Sequence, residues 1–324
     1  MRKTHPTSIN FITDNLISEF SLIDRFFKRQ TTNPSVAQGI GDDCALLSMP
    51  NGYELAITTD TMVENVHFFA DCNPFDLGHK LLAVNLSDLA SMGAKPLAVT
   101  LALTLPKVDE NWLQAFADGF FALAERYSVD LIGGDTTSGS LTLTVTALGL
   151  VPTGQALRRS TAKPGDIICV TGHLGDAGLG LKINQGYDCK QPDAALKRFN
   201  QPDPQVAFGQ ALIGIANACI DISDGLVGDL GHILQQSQVG ASIEWESLPL
   251  SEEVLNYIED TGDWAMPLTA GDDYELCFTV SPDKVKNLTI PHTKIGVIES
   301  LPGIQLNKSG IIQSLEVKSF EHFS

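Results

Sequence analysis

The sequence predicts an α/β protein of the α+β type with two domains, and three observations carry that expectation. Both halves of the 324-residue chain mix strand-like and helix-like segments without a regular βαβ alternation, which favours α+β layers over a doubly wound sheet. A turn-rich, basic stretch poor in large apolar residues, Pro152 to Gly165 (PTGQALRRSTAKPG), separates the halves. The length suffices for two cores, and 43% apolar residues supply the material. The expected division is a polar extension at 1–18, an N-terminal domain at 19–152 and a C-terminal domain at 153–324.

In chain order, a helix over Glu19–Lys28 places Phe20, Ile23, Phe26 and Phe27 on one side. Glu54–Thr59 has strand character, and Asp76 to about Met92 forms a helix stopped by Gly93 and Pro96. Leu97–Leu105 alternates strictly, with Leu97, Val99, Leu101, Leu103 and Leu105 on one face and Ala98, Thr100, Ala102 and Thr104 on the other. Asp109–Tyr127 is a second long helix. Leu141–Val145 repeats the alternation, with Thr142, Thr144 and Thr146 on its outer face. Such small or hydroxylated faces suit a closely packed second layer, a subunit interface among the candidates; a half-solvated, Thr-rich exterior suits them equally. Past the boundary come a strand at Asp166–Thr171, a turn at Gly172–Gly175 and a helix at Asp176–Asn184. Further helices are expected at Pro204–Ala216, Leu226–Gln236 and Ser251–Glu259, and strands at Ala241–Trp245, Glu275–Val280 and Lys294–Ile298.

The chain carries 39 acidic and 21 basic side chains, a formal charge of −18, and its acids are 25 Asp and 14 Glu. Nucleic-acid phosphates and anionic membrane surfaces would repel it. No apolar run reaches transmembrane length, and no apolar segment follows Arg2 and Lys3 as in a secretory signal. Six scattered cysteines without a CxxC pair fit buried, reduced thiols in the cytoplasm.

The Asp excess concentrates in six segments: Gly41-Asp42-Asp43, Thr58-Thr59-Asp60-Thr61, Asn85-Leu86-Ser87-Asp88, Gly133-Gly134-Asp135-Thr136-Thr137, Asp221-Ile222-Ser223-Asp224-Gly225 and Gly271-Asp272-Asp273. Four of them adjoin strand ends, Asp60 and Asp135 among them, where a scaffold presents carboxylates to a ligand. One Asp in a Gly-flanked turn is ordinarily structural, and Asp224-Gly225 fits a cap for the following helix. Asp88 differs, because it lies in an apolar run beside Leu86 and Leu89, where a carboxylate needs a cation or donors. Carboxylates without Cys or His at ligand spacing describe a hard-cation site, and no EF-hand loop fits. Mg²⁺ uses one or two carboxylates and completes its shell with water and substrate phosphate. Many aspartates therefore suggest several Mg²⁺ ions bridging to a polyphosphate. The Walker loop and the kinase H-R-D and D-F-G signatures are missing from the sequence. Thr171 to Gly178 opens a helix and suits either an anion or a plain turn; Arg158, Arg159 and Lys163 suit either phosphate or solvent.

The segments GIGDDCALL (39–47), ITTDTMVENVHF (57–68), AVNLSDLASMGAKP (83–96), LIGGDTT (131–137), RRSTAKPGD (158–166), IDISDGL (220–226) and GDDYELCF (271–278) resemble, in order and spacing, the thiamine-monophosphate kinase family. That family belongs to the aminoimidazole ribonucleotide synthetase superfamily, and the resemblance runs from about Glu19 to Phe323. It implies a two-domain fold, a homodimer whose N-terminal strands form a shared barrel, and transfer of the ATP γ-phosphate to thiamine phosphate. It implies several Mg²⁺ ions and leaves open a monovalent cation. Carried over by position, Asp43, Thr58, Thr59, Asp60, Asp88, Asp135, Asp221 and Asp224 match metal-associated positions. Gly134, Asp135, Arg159 and Ser223 match nucleotide-contacting positions, and His67, Asp272 and Phe320 match substrate positions. Asp60, Asp88, Asp135, Arg159 and Asp221 are the expected catalytic set. Two departures stand out: Asp272 replaces the family's Glu, one methylene shorter, and the aromatic at 320 is Phe, which can stack but has no hydroxyl. The alternatives are an ATP-dependent synthetase of the same superfamily and a non-catalytic nucleotide- or metal-binding module. A selenophosphate synthetase would carry a reactive Cys or selenocysteine in an N-terminal Gly-rich loop, and a hydrogenase-maturation relative would end in Cys; this sequence has neither feature and ends His322-Phe323-Ser324.

Overall fold

A computed structural model of the chain describes residues 19–40 and 44–315. The expected extension at 1–18 lies outside them. The first expected helix begins as α1 (Glu19–Leu22) and passes into a π turn over Ile23–Phe27, burying Leu22, Phe26 and Phe27. A short antiparallel pair follows, β1 (Val36–Gln38) with β2 (Leu46–Leu47). Next come β3 (Tyr53–Val63), α2 (Pro74–Ser91), β4 (Lys95–Leu105), α3 (Glu110–Tyr127), β5 (Asp130–Ser138) and β6 (Thr142–Pro152). Their four strands run in the order β3-β6-β4-β5, with β4 and β5 parallel and the other pairs antiparallel.

Alternation along these strands divides the sheet into two unlike faces. Met62, Leu101, Leu103, Leu143, Val145 and Ala147 share a core with Leu81, Leu82, Leu86 and Leu89 of α2 and Phe116 and Phe120 of α3. The opposite face carries threonines. Thr59 pairs with Thr146 and Thr61 with Thr144, hydroxyl to hydroxyl at 2.9 Å each, and Ile57 beside them is 61% exposed. Asp60 and Asp135, expected near strand ends, lie inside β3 and β5. The strands continue past them because pairing with neighbours does: β3 keeps an unbroken register with β6 from Tyr53↔Pro152 to Val63↔Thr142.

The second unit comprises β7 (Ile167–Val170), α4 (Asp176–Asn184), α5 (Asp193–Asn200), α6 (Val206–Leu212), β8 (Ala218–Asp221), α7 (Leu226–Ser237) and β9 (Gly240–Glu244). It continues with α8 (Glu252–Thr261), α9 (Met266–Thr269), β10 (Leu276–Val280), β11 (Thr293–Glu299), β12 (Gly303–Lys308) and β13 (Ile311–Leu315). The seven strands run β13-β12-β9-β11-β7-β10-β8. Its strands β7, β10 and β8 are covered on both faces, whereas the β11–β13 end exposes Val297, Ile311 and Ile312. Ile168, Val170, Ile220 and Cys277 pack with Leu226 and Leu230 of α7. Cys169, Cys219 and Phe278 point the other way and join the core that holds α2. All six cysteines are free thiols, and Cys169, Cys219 and Cys277 are buried. Among the described residues, no helix is long and apolar enough to cross a membrane.

Candidate active site

The site is organised by α2. Asn73 starts the helix by accepting the Phe75 N–H, and Pro74 suits the first turn. From Leu77 onward nearly every residue is buried, because α2 is packed between the four-stranded sheet, α3, α6 and β8. A helix buried all round must find partners for each polar side chain it carries. Asn85 accepts the backbone N–H of Asp60 at 3.2 Å and donates to Leu81 O at 3.0 Å. Ser87 donates to Asp221 Oδ2 at 2.7 Å. Asp88 accepts the Thr58 hydroxyl. Asp60, Asp88 and Asp221, far apart in sequence, thereby meet around one helix.

Asp221 ends β8 and is 3% exposed. Burial pushes its carboxyl well up, Asp88 and Asp229 add to the rise, and the Ser87 hydrogen bond and Arg159 oppose it. Burial raises Asp88 as well, against the Thr58 hydrogen bond and Arg159. Asp60 is pushed up to about 6, first by burial and then by Asp88 and Asp224. Each acid resists ionisation first because it is buried, neighbouring acids add to the effect at Asp60 and Asp221, and Arg159 is the cation whose field opposes it at Asp88 and Asp221. The loop after β8 is held by Asp229 of α7, which sequence reading missed. Its Oδ2 accepts the N–H groups of both Ser223 and Asp224 at 3.0 Å, and burial lifts it to about 7. Gly225, not an Asp side chain, occupies the cap position of α7. The signal was present: Asp229 interrupts the apolar run Leu226-Val227-Gly228-Asp229-Leu230, as Asp88 interrupts its own.

The segment Asp272–Glu275 alternates between two neighbourhoods. Asp272 accepts Lys80 Nζ at 2.9 Å and the Tyr274 hydroxyl at 3.0 Å. Asp273 turns away and accepts Gly175 N–H at 2.8 Å and Ala177 N–H at 3.4 Å. The start of α4, weighed above as an anion site, is thus filled by the chain's own carboxylate. Glu275 accepts Arg198 Nη2 at 2.6 Å and the Thr171 hydroxyl. Beside Lys80 lies a cavity of about 200 Å³ whose wall includes His67, Phe69, Asp76, Lys80 and Phe199. The Val63 N–H donates to His67 Nδ1 at 3.0 Å, leaving Nε2–H as the ring's donor.

Other expected residues stand apart from this cluster. The Thr59 side chain is on the opposite sheet face, paired with Thr146. Asp135 is exposed and in register with Ala102, Thr144 and Thr61, on that same face. Gly134 faces Leu101 across the β4–β5 pair. Asp43 and Phe320 lie outside the described residues. Among the described residues, no three His, Cys, Asp or Glu side chains form a ready-made metal cage. The donor set still fits Mg²⁺, which needs one or two carboxylates per ion: the charges of Asp88 and Asp224 push the Asp60 carboxyl up, a repulsion that a divalent cation would relieve.

The paired layers and shared acidic seam place the chain in the AIR synthase related class. The model of its N-terminal domain matches residues 41–151, and that of its C-terminal domain residues 163–290. The chain is 46% identical over 320 residues to a thiamine-monophosphate kinase of Salmonella typhimurium, covering 94% of this chain and 98% of the relative. It belongs to the thiamine-monophosphate kinase family. The crystal structure of thiamine-monophosphate kinase from Stenotrophomonas maltophilia K279a superposes with a TM-score of 0.81 at 42% identity, covering 90% of this chain and 97% of that one. AaThiL complexed with AMPPCP and TMP superposes at 0.77 and 30% identity, covering 85% and 89%.

Proposed function

We propose that this protein transfers the γ-phosphate of ATP directly to thiamine phosphate, giving ADP and thiamine diphosphate. The observation that carries the reading is the convergence of Asp60, Asp88 and Asp221 around α2, with Arg159 acting on Asp88 and Asp221, in a chain of this family. A solved relative complexed with AMPPCP and TMP supports both ligands. The acceptor is a phosphate monoester, whose second pKa near 6 follows by analogy with phosphorylated side chains. It is therefore already an oxyanion at neutral pH and needs no general base. An acceptor oxygen attacks the γ-phosphorus as the bond to the bridging ADP oxygen breaks, and the electron pair leaves with ADP. What the site must overcome is repulsion between two polyanions. Arg159 draws negative charge toward the cluster. Asp43, Thr58, Thr59, Asp60, Asp88, Asp135, Asp221 and Asp224 would hold Mg²⁺, whose bound ions supply positive charge between the acids and the phosphates. Gly134, Asp135, Arg159 and Ser223 take the nucleotide, and His67, Asp272 and Phe320 the acceptor.

Residues 19–152 act as the ATP- and Mg²⁺-binding and dimerising domain, and 153–324 as the C-terminal domain. Two copies associate through the Thr-rich face of the four-stranded sheet. Six free thiols support a reducing, cytoplasmic setting. A coupled assay tests the activity: ADP release should require both Mg²⁺ and thiamine phosphate, with no acid-labile phosphoenzyme from γ-labelled ATP. Asp60→Asn should lower the rate by ~10–100-fold or more, and full activity in that variant rejects the metal assignment. ATP binding without ADP formation would instead favour a binding module.

A further inference from the structure

Lys80 lies outside every motif that carries the family likeness, yet it is only 5% exposed near the middle of α2. A buried ammonium is costly unless it is paired, so its partners indicate its purpose. Its Nζ donates to Asp272 Oδ2 at 2.9 Å and stands 4.1 Å from the centre of the Phe199 ring. Its side chain forms part of the wall of the His67 cavity. The other carboxylate oxygen, Oδ1, accepts the buried Tyr274 hydroxyl at 3.0 Å. The main chain of Asp272 is fixed as well, with φ at +69° and its N–H donating to Ser223 O at 2.8 Å. Asp272 is therefore clamped at both oxygens and at its backbone, between the cavity on one side and the Ser223 loop on the other.

We propose that Lys80 is a positioning residue for the phosphate acceptor, holding the Asp272 carboxylate where it meets the substrate beside the His67 cavity. This rests on the reading of Asp272 as an acceptor-binding residue. Asp272 is one methylene shorter than the family's Glu and reaches less far. A clamped carboxylate compensates through order, since it loses little side-chain freedom when the ligand arrives. Each oxygen keeps an acceptor lone pair after bonding Lys80 or Tyr274. Thiamine phosphate offers a ring amino group and a cationic ring, and a fixed carboxylate suits either.

The test is steady-state kinetics on the full chain for wild type, Lys80→Met, Asp272→Asn and the double variant. Each single variant should raise the KM for thiamine phosphate ~10-fold or more. The kcat and the KM for ATP should stay within about two-fold, which marks lost acceptor binding and not lost chemistry. The double variant should be no worse than the worse single, because both changes break one interaction. Tyr274→Phe removes a single hydroxyl and should raise the same KM; it stands in if Lys80→Met does not fold. An unchanged KM for thiamine phosphate in Lys80→Met, or in Tyr274→Phe where it stands in, overturns the proposal. So does a double variant whose effects multiply. A wild-type protein that forms no ADP with thiamine phosphate overturns the functional reading itself, and this proposal with it.

Discussion

At Asp60, binding and folding make opposite demands. A site for cations and polyphosphate concentrates carboxylates, whereas a packed interior resists charged ones. The group carries a pKa of about 6, raised by burial and then by Asp88 and Asp224. Because this exceeds the value of 3.8 for an unperturbed Asp, the folded state binds more protons than the unfolded state between about pH 4 and pH 6. The stability tied to that proton is full below about 4 and lost as pH rises through about 6. Asp60→Asn, in metal-free protein with EDTA, should thus gain about 1–3 kcal/mol of unfolding free energy at pH 8. The gain should shrink as pH falls toward 5, while activity is lost. Denaturant titrations at the two pH values check this, and parallel pH dependences in variant and wild type would reject it. At this scale the sequence was informative where a charge interrupts an apolar run. Asp88 was legible for that reason, and the same rule extends to Asp229; Lys80, beside His79 at the head of its apolar run, gave no such signal. Neither the Lys80–Asp272 bond nor the two faces of Asp272–Glu275 could be read, since they depend on packing between residues 192, 98 and 77 positions apart.

Elements explain why neighbouring residues in one motif have different duties. Gly133 and Gly134 are adjacent in β5, but a Cβ on Gly134 would lie 1.8 Å from Leu101 O, and its φ is +152°. A Cβ on Gly133 would meet only Thr100 Cγ2 at 3.7 Å, an ordinary contact. Gly134→Ala should therefore cost about 3 kcal/mol or more, and Gly133→Ala less than about 1 kcal/mol. Urea midpoints with unchanged m-values measure both; equal losses would show that the β4–β5 approach is not the constraint. Most long elements were legible: α2, α3 and α4 appear within about two residues of their expected limits. Their caps and breakers are local, with Asn73 and Asp109 at helix starts. α5 and the β12–β13 pair were not anticipated. α5 is eight residues long with a polar face, and β12 is fixed by pairing with β9, some 60 residues earlier, which no local pattern reveals. The strands through Asp60 and Asp135 also ran longer than expected, for the same reason.

For the whole molecule, the decisive surface is the face of the four-stranded sheet away from α2 and α3. It is built from Thr59, Thr61, Thr144 and Thr146, with Ala102 and Asp135 in register beside them and Ile57 and Leu55 exposed at 61% and 37%. Paired hydroxyls satisfy one another and leave a flat, nearly uncharged surface, so a second copy can approach without stranding polar groups. In the proposed dimer Ile57 would be an apolar anchor and Asp135 an edge of the active site. The protein should sediment as a dimer at micromolar concentration. Ile57→Lys would place two unpaired ammonium groups in the seam and should weaken association by ~100-fold or more, leaving a folded monomer. Because Asp135 shares the face, activity should fall with dissociation and recover in part at high protein concentration. Sedimentation velocity paired with the ADP assay over a dilution series makes the link directly. Coincident loss of dimer and rate supports a site completed by association. A fully active monomer would return Asp135 to the surface as an ordinary solvated acid and confine the chemistry to the seam around α2.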